Sequence, residues 1–274
     1  MTALMGFPKR ADGAELRLVC NNILCQKIKK DASRLDGLRL AYENFGADVV
    51  TFQETDEKWH GEYGLDRTMR ELGYELVPLR NAGRWSYLLD ENDRNATFYN
   101  TSTLRLVECG YQRYECSSYL VPERPDCAYT WALLERISDA KRFIVISTHL
   151  ISGANGDKRI ESARELARFI AYLEQKYRVP VLSCGDYNSG LRSDVYGVMT
   201  ESLYSARDTA PVKNNLDYGT TNHVGKEPDK GGAVIDHCFY STHGIIPHFY
   251  EVVVSEYSYS YSDHVPFVFD FSLA

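Results

Sequence analysis

The segment VPVLSCGDYNSG (residues 179–190) begins like a buried β-strand and ends in polar residues. Its first residues are mostly apolar and predict a strand, and Gly-Asp-Tyr-Asn follows at 185–188. Because glycine, aspartate and asparagine are all turn formers, a tight turn is one interpretation. The other is that the strand directs the carboxylate of Asp186 and the amide of Asn188 toward a ligand. The rest of the sequence decides between the two.

Several other apolar segments also lead into polar residues. LRLVC (16–20) runs into two asparagines, DVVTFQ (48–53) into a glutamate and RFIVIST (142–148) into a histidine. An aspartate interrupts AVIDHCFYS (233–241), and Asp-His precedes the last apolar run (265–272). The polar residues at these positions are Asn22, Glu54, His149, Asp236, Asp263 and His264.

Taken singly, most of these residues have an ordinary structural explanation. Asn22 is compatible with a turn and Glu54 with a helix cap. A single histidine such as His149 is more often a hydrogen-bonded core residue than a ligand. Asp236 is harder to explain in this way, because a carboxylate in a buried strand costs several kcal/mol unless it is paired.

As a set, the polar residues match the chemistry of phosphoester hydrolysis with a hard cation. With the aspartate and asparagine of the first segment, they make two amides, four carboxylates and two histidines. Mg²⁺ prefers oxygen ligands, which Glu54, Asn22 and Asp263 can supply. A histidine exchanges protons near neutral pH and needs a carboxylate to fix its tautomer. Asp236 can do this for His264.

The bulk composition is that of an ordinary globular protein. The 274 residues are 44% hydrophobic and 25% charged, with a net charge of −7 at pH 7. This acidity disfavours a protein that wraps nucleic acid with a basic surface. A nuclease stays open, because a bound divalent cation offsets local acidity. No apolar run approaches the roughly 20 residues needed to span a bilayer, so we expect no transmembrane segment.

The cysteines and the N-terminal segment give evidence on the cellular compartment of the protein. The chain has 7 scattered cysteines without the spacing of a zinc site, and reduced cysteines packed as small apolar residues are the simplest interpretation. The segment MTALMGFPKR at the start lacks the basic region and long apolar core of a secretory signal. We therefore expect a cytoplasmic protein, or a secreted one only if a leader has been removed, and we expect a monomer.

The sequence predicts many short strands with a few helices between them. Strands are predicted at 16–20, 48–53, 74–79, 95–100, 104–109, 128–136, 142–148, 180–184, 233–240 and 265–272. Amphipathic helices are predicted at 31–45, 64–72, 158–176 and 193–203. Residues 206–232 predict a long loop, of a kind that is usually functional or mobile. No repeat or linker divides residues 1–274, so we predict one α+β domain of stacked sheets covered by helices.

The motifs of six segments occur in a characteristic order. LRLVCNNIL has an asparagine after its strand, ADVVTFQET a Gln-Glu pair and FIVISTHL a Thr-His-Leu. VPVLSCGDYNS, AVIDHCFYS and YSDHVPFVFDF add Gly-Asp-x-Asn, Ile-Asp and Ser-Asp-His. In this order the chain resembles, over nearly its whole length, the endonuclease/exonuclease/phosphatase superfamily with the deoxyribonuclease I-like fold. The resemblance implies a four-layer α/β/β/α sandwich of two mostly antiparallel sheets flanked by helices.

The resemblance implies a cation site made of oxygen ligands. Glu54 would be the main Mg²⁺ ligand, with Asn22 beside it and Asp263 nearby, and Mn²⁺ is expected as a substitute. Asn21 stands where the superfamily usually has an aromatic or hydrophobic residue. Asn22 is therefore assigned by its place before Ile23.

The resemblance also implies catalytic roles. Asp186 would position or activate the attacking water, and Asn188 would hold a phosphate oxygen. His149 would contact the phosphate or assist the leaving group. His264, oriented by Asp236, would act as a general base or stabilise the pentacovalent phosphorus. The sequence does not decide how the acid and base roles are divided among His149, Asp186 and His264.

The substrate is also left open, because superfamily members share a fold and not a substrate. Small molecules, lipid headgroups and nucleic acids all remain candidates. Two interpretations fit the segment that contains Arg80, Arg84 and Trp85. It contacts a phosphate or a ring of the substrate, or it is a solvated loop. The Tyr/Ser alternation of SEYSYSYSD (255–263) predicts an edge strand with tyrosines on one face, or an aromatic wall beside the site. His237 stands where the superfamily commonly has tyrosine, a difference that concerns packing rather than chemistry.

These observations predict a Mg²⁺-dependent phosphodiesterase or nuclease-like hydrolase. The alternatives are a phosphomonoesterase acting on a sugar or inositol phosphate, and a non-catalytic phosphate-binding module of the same fold. A non-catalytic module is expected to lose one of Glu54, Asp186, Asp236 and His264, and all of them are present. A zinc hydrolase is disfavoured because the expected ligands are mostly oxygens.

Overall fold

The computed structural model describes residues 7–25, 31–78, 80–81, 84–85, 95–115 and 128–274. The strands in this part of the chain are β1 (Leu16–Asn22), β2 (Val49–Gln53), β3 (Tyr74–Leu76), β4 (Arg80–Asn81), β5 (Arg84–Trp85), β6 (Asn95–Asn100), β7 (Leu104–Arg113), β8 (Ala128–Arg136), β9 (Arg142–His149), β10 (Val181–Asp186), β11 (Leu203–Ser205), β12 (Val212–Asn214), β13 (Asp236–Ser241), β14 (Ile245–Val252) and β15 (Phe267–Leu273). The helices are α1 (Ser33–Phe45), α2 (Glu57–His60), α3 (Leu65–Glu71), α4 (Gly156–Tyr177), α5 (Asp194–Thr200) and α6 (Ala206–Thr209). The side chains of Arg80, Arg84 and Trp85, for which phosphate contact was one interpretation, lie outside the described part.

Two sheets form the centre of the fold. One has the strand order β12-β14-β15-β1-β2-β6-β3 and the other β11-β13-β10-β9-β8-β7, while β4 and β5 pair as a separate ribbon. Most neighbouring strands are antiparallel, but β1 pairs with β2, β9 with β10 and β12 with β14 in parallel. Parallel neighbours end at the same edge of a sheet, which brings the polar residues after the first two pairs together.

The two sheets pack face to face and carry helices on their outer faces. Side chains alternate between the faces of a strand, so Leu18 and Cys20 of β1 join the core between the sheets while Val19 packs on the helix side. The helices α1 and α3 cover the first sheet, and α4 and α5 cover the second. The predicted four-layer α/β/β/α sandwich is confirmed.

The longest predicted helix is confirmed as α4. Its residues Ala163, Leu166, Ile170 and Leu173 are buried on one face against the second sheet. None of the helices in the described residues is long and apolar enough to cross a membrane.

The sequence analysis missed β14, which lies between β12 and β15. Pro247 within an apolar run argues against a central strand. The pairing of β14 with β15 shifts register between Pro247 and Phe249, and this bulge accommodates the proline. The helix predicted at 193–203 is also shorter than expected, because α5 ends at Thr200 and a strand, β11, begins at Leu203.

The loop predicted at 206–232 is partly structured. Its first residues form α6, and β12 then adds in parallel to the edge of β14. The remainder is irregular and is closed by an isolated bridge between Tyr218 and Lys230.

The edge strand predicted at 255–263 is wrong, because residues 256–260 form consecutive turns. Ser258 Oγ lies within hydrogen-bond distance of the carbonyl oxygens of Val253 and Ser255. Such local hydroxyl bonds compete with strand pairing. Tyr261 is buried and donates its hydroxyl hydrogen to Asn21, so the tyrosines do not share one exposed face.

Candidate active site

The predicted site residues lie at one end of the sandwich. There β1, β2, β9 and β10 end, β13 begins, and the segment before β15 enters. The residues at this end are Asn22, Glu54, His149, Asp186, Asn188, Asp236, Asp263 and His264.

Asp186 lies at the centre of this group. Its Oδ1 accepts a hydrogen bond from the backbone N–H of Asn188 at 2.7 Å, and its Oδ2 accepts one from Asn22 Nδ2 at 3.1 Å. The same Oδ2 is 3.5 Å from His149 Nε2 and 3.9 Å from His264 Nε2. One buried carboxylate oxygen therefore faces two imidazoles and an amide.

Asp236 and His264 form a buried pair. His264 Nδ1 lies 2.8 Å from Asp236 Oδ2. Burial alone lowers the pKa of His264, but the charge and hydrogen bond of Asp236, with the charges of Asp186 and Asp263, raise it to about 10. Burial raises the pKa of the Asp236 carboxyl as well, but imidazole is the stronger base. The pair is therefore an imidazolium and a carboxylate at neutral pH.

Glu54 is held by two hydrogen bonds immediately after β2. Its Oε1 accepts from Asn22 Nδ2 at 3.2 Å, and its Oε2 accepts from the backbone N–H of Cys25 at 3.0 Å. Burial raises the pKa of this carboxyl, but His149 and the two hydrogen bonds outweigh burial and lower it. Glu54 is thus ionised and fixed in orientation.

The amide of Asn22 organises the acids around it. Its Nδ2 faces Glu54 and Asp186, and its Oδ1 accepts from the backbone N–H of Leu24 at 3.0 Å. In this arrangement Asn22 donates to the carboxylates, and its oxygen accepts one hydrogen bond and keeps a second lone pair.

The carboxylates on the Glu54 side suit a hard divalent cation. Asp263 Oδ1 is buried and has no hydrogen-bond partner among the described residues. Burial, and to a lesser extent the charge of Glu54, raises the pKa of the Asp263 carboxyl. A cation with oxygen preference would satisfy this atom and relieve the repulsion. Ligand atoms of Asp186, Asp236 and His264 also lie within 4.8 Å of one another, but an imidazole ligand suits a softer cation than Mg²⁺.

The backbone around the site adopts uncommon conformations. Leu24, Glu54 and Asn188 have positive φ angles of 53°, 62° and 48°. Such conformations cost energy in non-glycine residues and cluster at functional sites. Gly185 has a φ of 156°, and a Cβ there would lie 1.8 Å from the carbonyl oxygen of Thr148. Only glycine allows β9 and β10 to approach so closely beside Asp186.

Sequence reasoning missed Arg34. This arginine on α1 is 2% exposed, and its guanidinium donates to the carbonyl oxygens of Ile23, Leu24 and Tyr261. It thereby ties together the backbone segments that carry two of the expected cation ligands. The signal in the sequence is its spacing, because Arg34 occupies the position four residues before Leu38 on the buried face of the helix.

A profile of the Endonuclease/Exonuclease/phosphatase family matches residues 22–264. The match covers most of the chain and spans the whole site, and the chain therefore belongs to this family. Members of the family are phosphoester hydrolases and generally use divalent metals.

Solved structures of other proteins share the fold. The catalytic domain of human Nocturnin with a bound sulfate anion is 20% identical, with a TM-score of 0.73 over 94% of each chain. A mannosyl-6-phosphatase of Bacteroides thetaiotaomicron is 18% identical, with a TM-score of 0.72 over 94% of this chain and 100% of that one. ANGEL2, a 2′,3′-cyclic phosphatase in complex with adenosine-2′,3′-vanadate, is 17% identical, with a TM-score of 0.71 over 97% and 99%. No curated protein matches the sequence.

Proposed function

We propose that this protein is a Mg²⁺-dependent hydrolase that cleaves a phosphoester by in-line attack of water. The observation that supports it best is the position of Asp186, whose Oδ2 lies 3.5 Å from His149 Nε2 and 3.9 Å from His264 Nε2. A carboxylate between two imidazoles can orient a water and accept its proton while hydrogen-bond donors face the phosphate.

Glu54 and Asp263 would hold the cation, with Mn²⁺ able to replace Mg²⁺. A divalent cation, when bound, polarises a phosphoryl oxygen and stabilises the charge that develops on it. Glu54 suits this task because it is ionised and its oxygens are fixed by Asn22 and the Cys25 N–H. Asn22 would orient Glu54 through Nδ2, and its Oδ1, which accepts one hydrogen bond from Leu24, keeps a second lone pair for the cation.

The charge state of His264 supports a division of acid and base roles. An imidazolium already carries both of its hydrogens and cannot accept another. We therefore assign His264, held by Asp236, to donate a hydrogen bond to a phosphoryl oxygen. Asp186 is the remaining carboxylate that faces both histidines, and we assign it as the base that takes the proton of the attacking water.

Asn188 and His149 would contact the phosphate from the other side. Asn188 Nδ2 donates to the carbonyl oxygen of Leu150 at 2.8 Å, which leaves its second hydrogen for a phosphate oxygen. His149 faces Asp186 through Nε2, a position from which it can contact the phosphate or the leaving group.

A phosphodiester is the first choice of substrate, and a phosphomonoester is the second. The similar structures include a 2′,3′-cyclic phosphatase and a mannosyl-6-phosphatase, which supports testing both classes. The test is a panel of an aryl phosphodiester, an aryl monoester, adenosine 2′,3′-cyclic phosphate, mannose 6-phosphate, inositol phosphates, sphingomyelin, RNA, and plain and abasic DNA. Each is assayed with EDTA, Mg²⁺ or Mn²⁺, for the wild type and for Glu54→Gln.

The expected result is hydrolysis of at least one phosphoester with Mg²⁺ or Mn²⁺, lost with EDTA and lost in Glu54→Gln. Turnover that is equal with and without metal would contradict the cation requirement. A wild-type protein that binds phosphate but hydrolyses no member of the panel would favour the non-catalytic module instead.

A further inference from the structure

His237 is a buried histidine that the proposed mechanism does not use. It follows Asp236 on β13 and is 4% exposed. Its ring packs against the rings of Tyr187, Tyr196 and Phe239, at centroid distances of 5.8, 5.1 and 5.6 Å. Neighbouring side chains on a strand point to opposite faces. Asp236 thus faces the site, and His237 lies in the aromatic cluster behind it.

One ring nitrogen of His237 binds the backbone just after Asn188. His237 Nε2 lies 2.7 Å from the carbonyl oxygen of Ser189, which is itself a buried residue. A carbonyl oxygen can only accept, so Nε2 carries the hydrogen. Burial lowers the pKa of His237 to about 4, so the ring is neutral at pH 7 and donates through this nitrogen.

Hydrogen bonds on both sides hold the turn that carries Asp186 and Asn188. On one side, Asn188 donates from its backbone to Asp186 Oδ1 and from its side chain to the Leu150 carbonyl oxygen. Asn188 has a left-handed φ of 48°, a conformation that a non-glycine residue keeps only when the surrounding structure enforces it. The bond from His237 to Ser189 fixes the chain where it leaves Asn188.

We propose that His237 is a positioning residue that keeps Asn188 and Asp186 in their reactive orientation through Ser189. The proposal rests on the proposed function, because these two side chains affect turnover only if the site hydrolyses a phosphoester. A role in the core alone would need only the ring contacts. The positioning role needs a hydrogen-bond donor at the place of Nε2.

Two amide substitutions separate these roles. His237→Gln places an amide nitrogen near the position of Nε2 and keeps a donor for Ser189. His237→Asn is one methylene shorter and cannot reach that oxygen, although it removes the same ring. Tyr196→Phe is the matched control, because it removes a hydroxyl that binds Ser205 and Asp208 in the same cluster and leaves the turn untouched.

The measurements are crystal structures, melting temperatures, and kcat and KM for an aryl phosphodiester with Mn²⁺. In His237→Asn we expect the Asn188 side chain to leave the Leu150 carbonyl oxygen and kcat to fall by about 10- to 100-fold, with a much smaller change in KM. His237→Gln should retain the turn and keep kcat within about fivefold of wild type. Tyr196→Phe should lower the melting temperature and leave kcat unchanged.

A His237→Asn structure whose turn superposes on the wild type would overturn the proposal, and so would a glutamine variant as impaired as the asparagine variant. A wild-type protein without any turnover would instead contradict the proposed function. The crystal structures of the two amide variants would then still decide whether His237 positions the turn.

Discussion

The two ends of β1 bury charged groups in opposite ways. At its start, Arg17 donates from Nε and Nη2 to the two oxygens of Asp270 at 2.6 and 2.8 Å, and Nη1 donates to two backbone carbonyl oxygens. At its far end, in the described part of the chain, Asp236 Oδ1, Asp263 Oδ1 and His149 Nδ1 are buried without hydrogen-bond partners. Both sets of atoms are buried, but only those at the first end are fully paired.

The difference shows how one fold separates stability from function. Buried polar atoms are nearly always paired, and each unpaired one costs stability. The pair of Arg17 and Asp270 has no remaining capacity for a ligand and serves the structure. Under the proposed function, a bound cation or phosphate would pair with open atoms at the other end and recover stability that they cost.

The largest expected effect is on turnover at the site end. Replacing His264 with alanine should lower kcat by about 10²- to 10⁴-fold, because the donor to the phosphoryl oxygen is lost. The double variant with Asp236→Asn should fall little further, because residues that act as a unit are not additive. Steady-state kinetics on the single and double variants provide the test, and a His264→Ala enzyme with wild-type turnover would refute the assignment.

The next effect is on stability at the paired end. Arg17→Met removes the cationic partner of the buried Asp270 carboxylate and should cost about 3–5 kcal/mol of unfolding free energy. Urea unfolding measures it, and kcat of the folded fraction should not change. Arg39→Met is the control, because the ion pairs of Arg39 with Glu43 and Glu71 are exposed and should contribute much less to stability. Equal losses in both variants would contradict the comparison.

A smaller effect is expected on cation binding. Glu54→Gln keeps the shape of the side chain and removes its charge, so Mg²⁺ affinity should fall by about 10- to 100-fold. Calorimetry with Mg²⁺ or Mn²⁺ measures this. Glu251→Gln makes the same change in a buried carboxyl on β14 that is bound by Asn214, and it should bind the cation like the wild type. Unchanged binding in Glu54→Gln would remove Glu54 as a ligand.

Taken per pH unit, the smallest effect is the pH dependence of stability without metal. The folded-state pKa of His264 is about 10, above the ordinary value of about 6.5. Its stabilisation is therefore complete below pH 6.5 and lost as pH rises toward 10, at up to about 1.4 kcal/mol per pH unit. Unfolding free energies of the wild type and His264→Ala should approach each other across this window. Parallel pH profiles would show that the imidazolium does not form.

The grouping of the candidate site residues could be predicted from the sequence because these residues interrupt strong local patterns. Asp186 and His149 each end an apolar strand, and Asp236 stands beside an apolar run where a carboxylate needs a partner. Strand ends at one sheet edge meet in space, so a local pattern was enough to identify the group. The fold followed from the same strands together with the order of the motifs.

The remaining features depend on contacts between distant segments. The Tyr/Ser alternation of 255–263 suggested a strand, but the hydroxyl of Ser258 pairs locally and forms turns. The strand β14 was not predicted because Pro247 argues against a strand, and the register shift with β15 that accommodates this proline is not visible in the sequence. The hydrogen-bond partners of Arg34 and His237 lie in other elements. Spacing along the chain can place Arg34 on a buried helix face, but it does not identify these partners.

The most direct test makes one chemical change at each end of β1. Asp236→Asn and Asp270→Asn each neutralise a buried aspartate that is bound to a cationic side chain. Turnover of the preferred phosphoester and unfolding free energy are measured for both variants under the same conditions. The account predicts that folded Asp236→Asn loses about 10²- to 10⁴-fold in kcat, whereas Asp270→Asn loses several kcal/mol of stability and its folded fraction keeps the wild-type kcat. A folded Asp236→Asn protein that keeps its turnover, or a folded Asp270→Asn protein that loses it, would contradict the account.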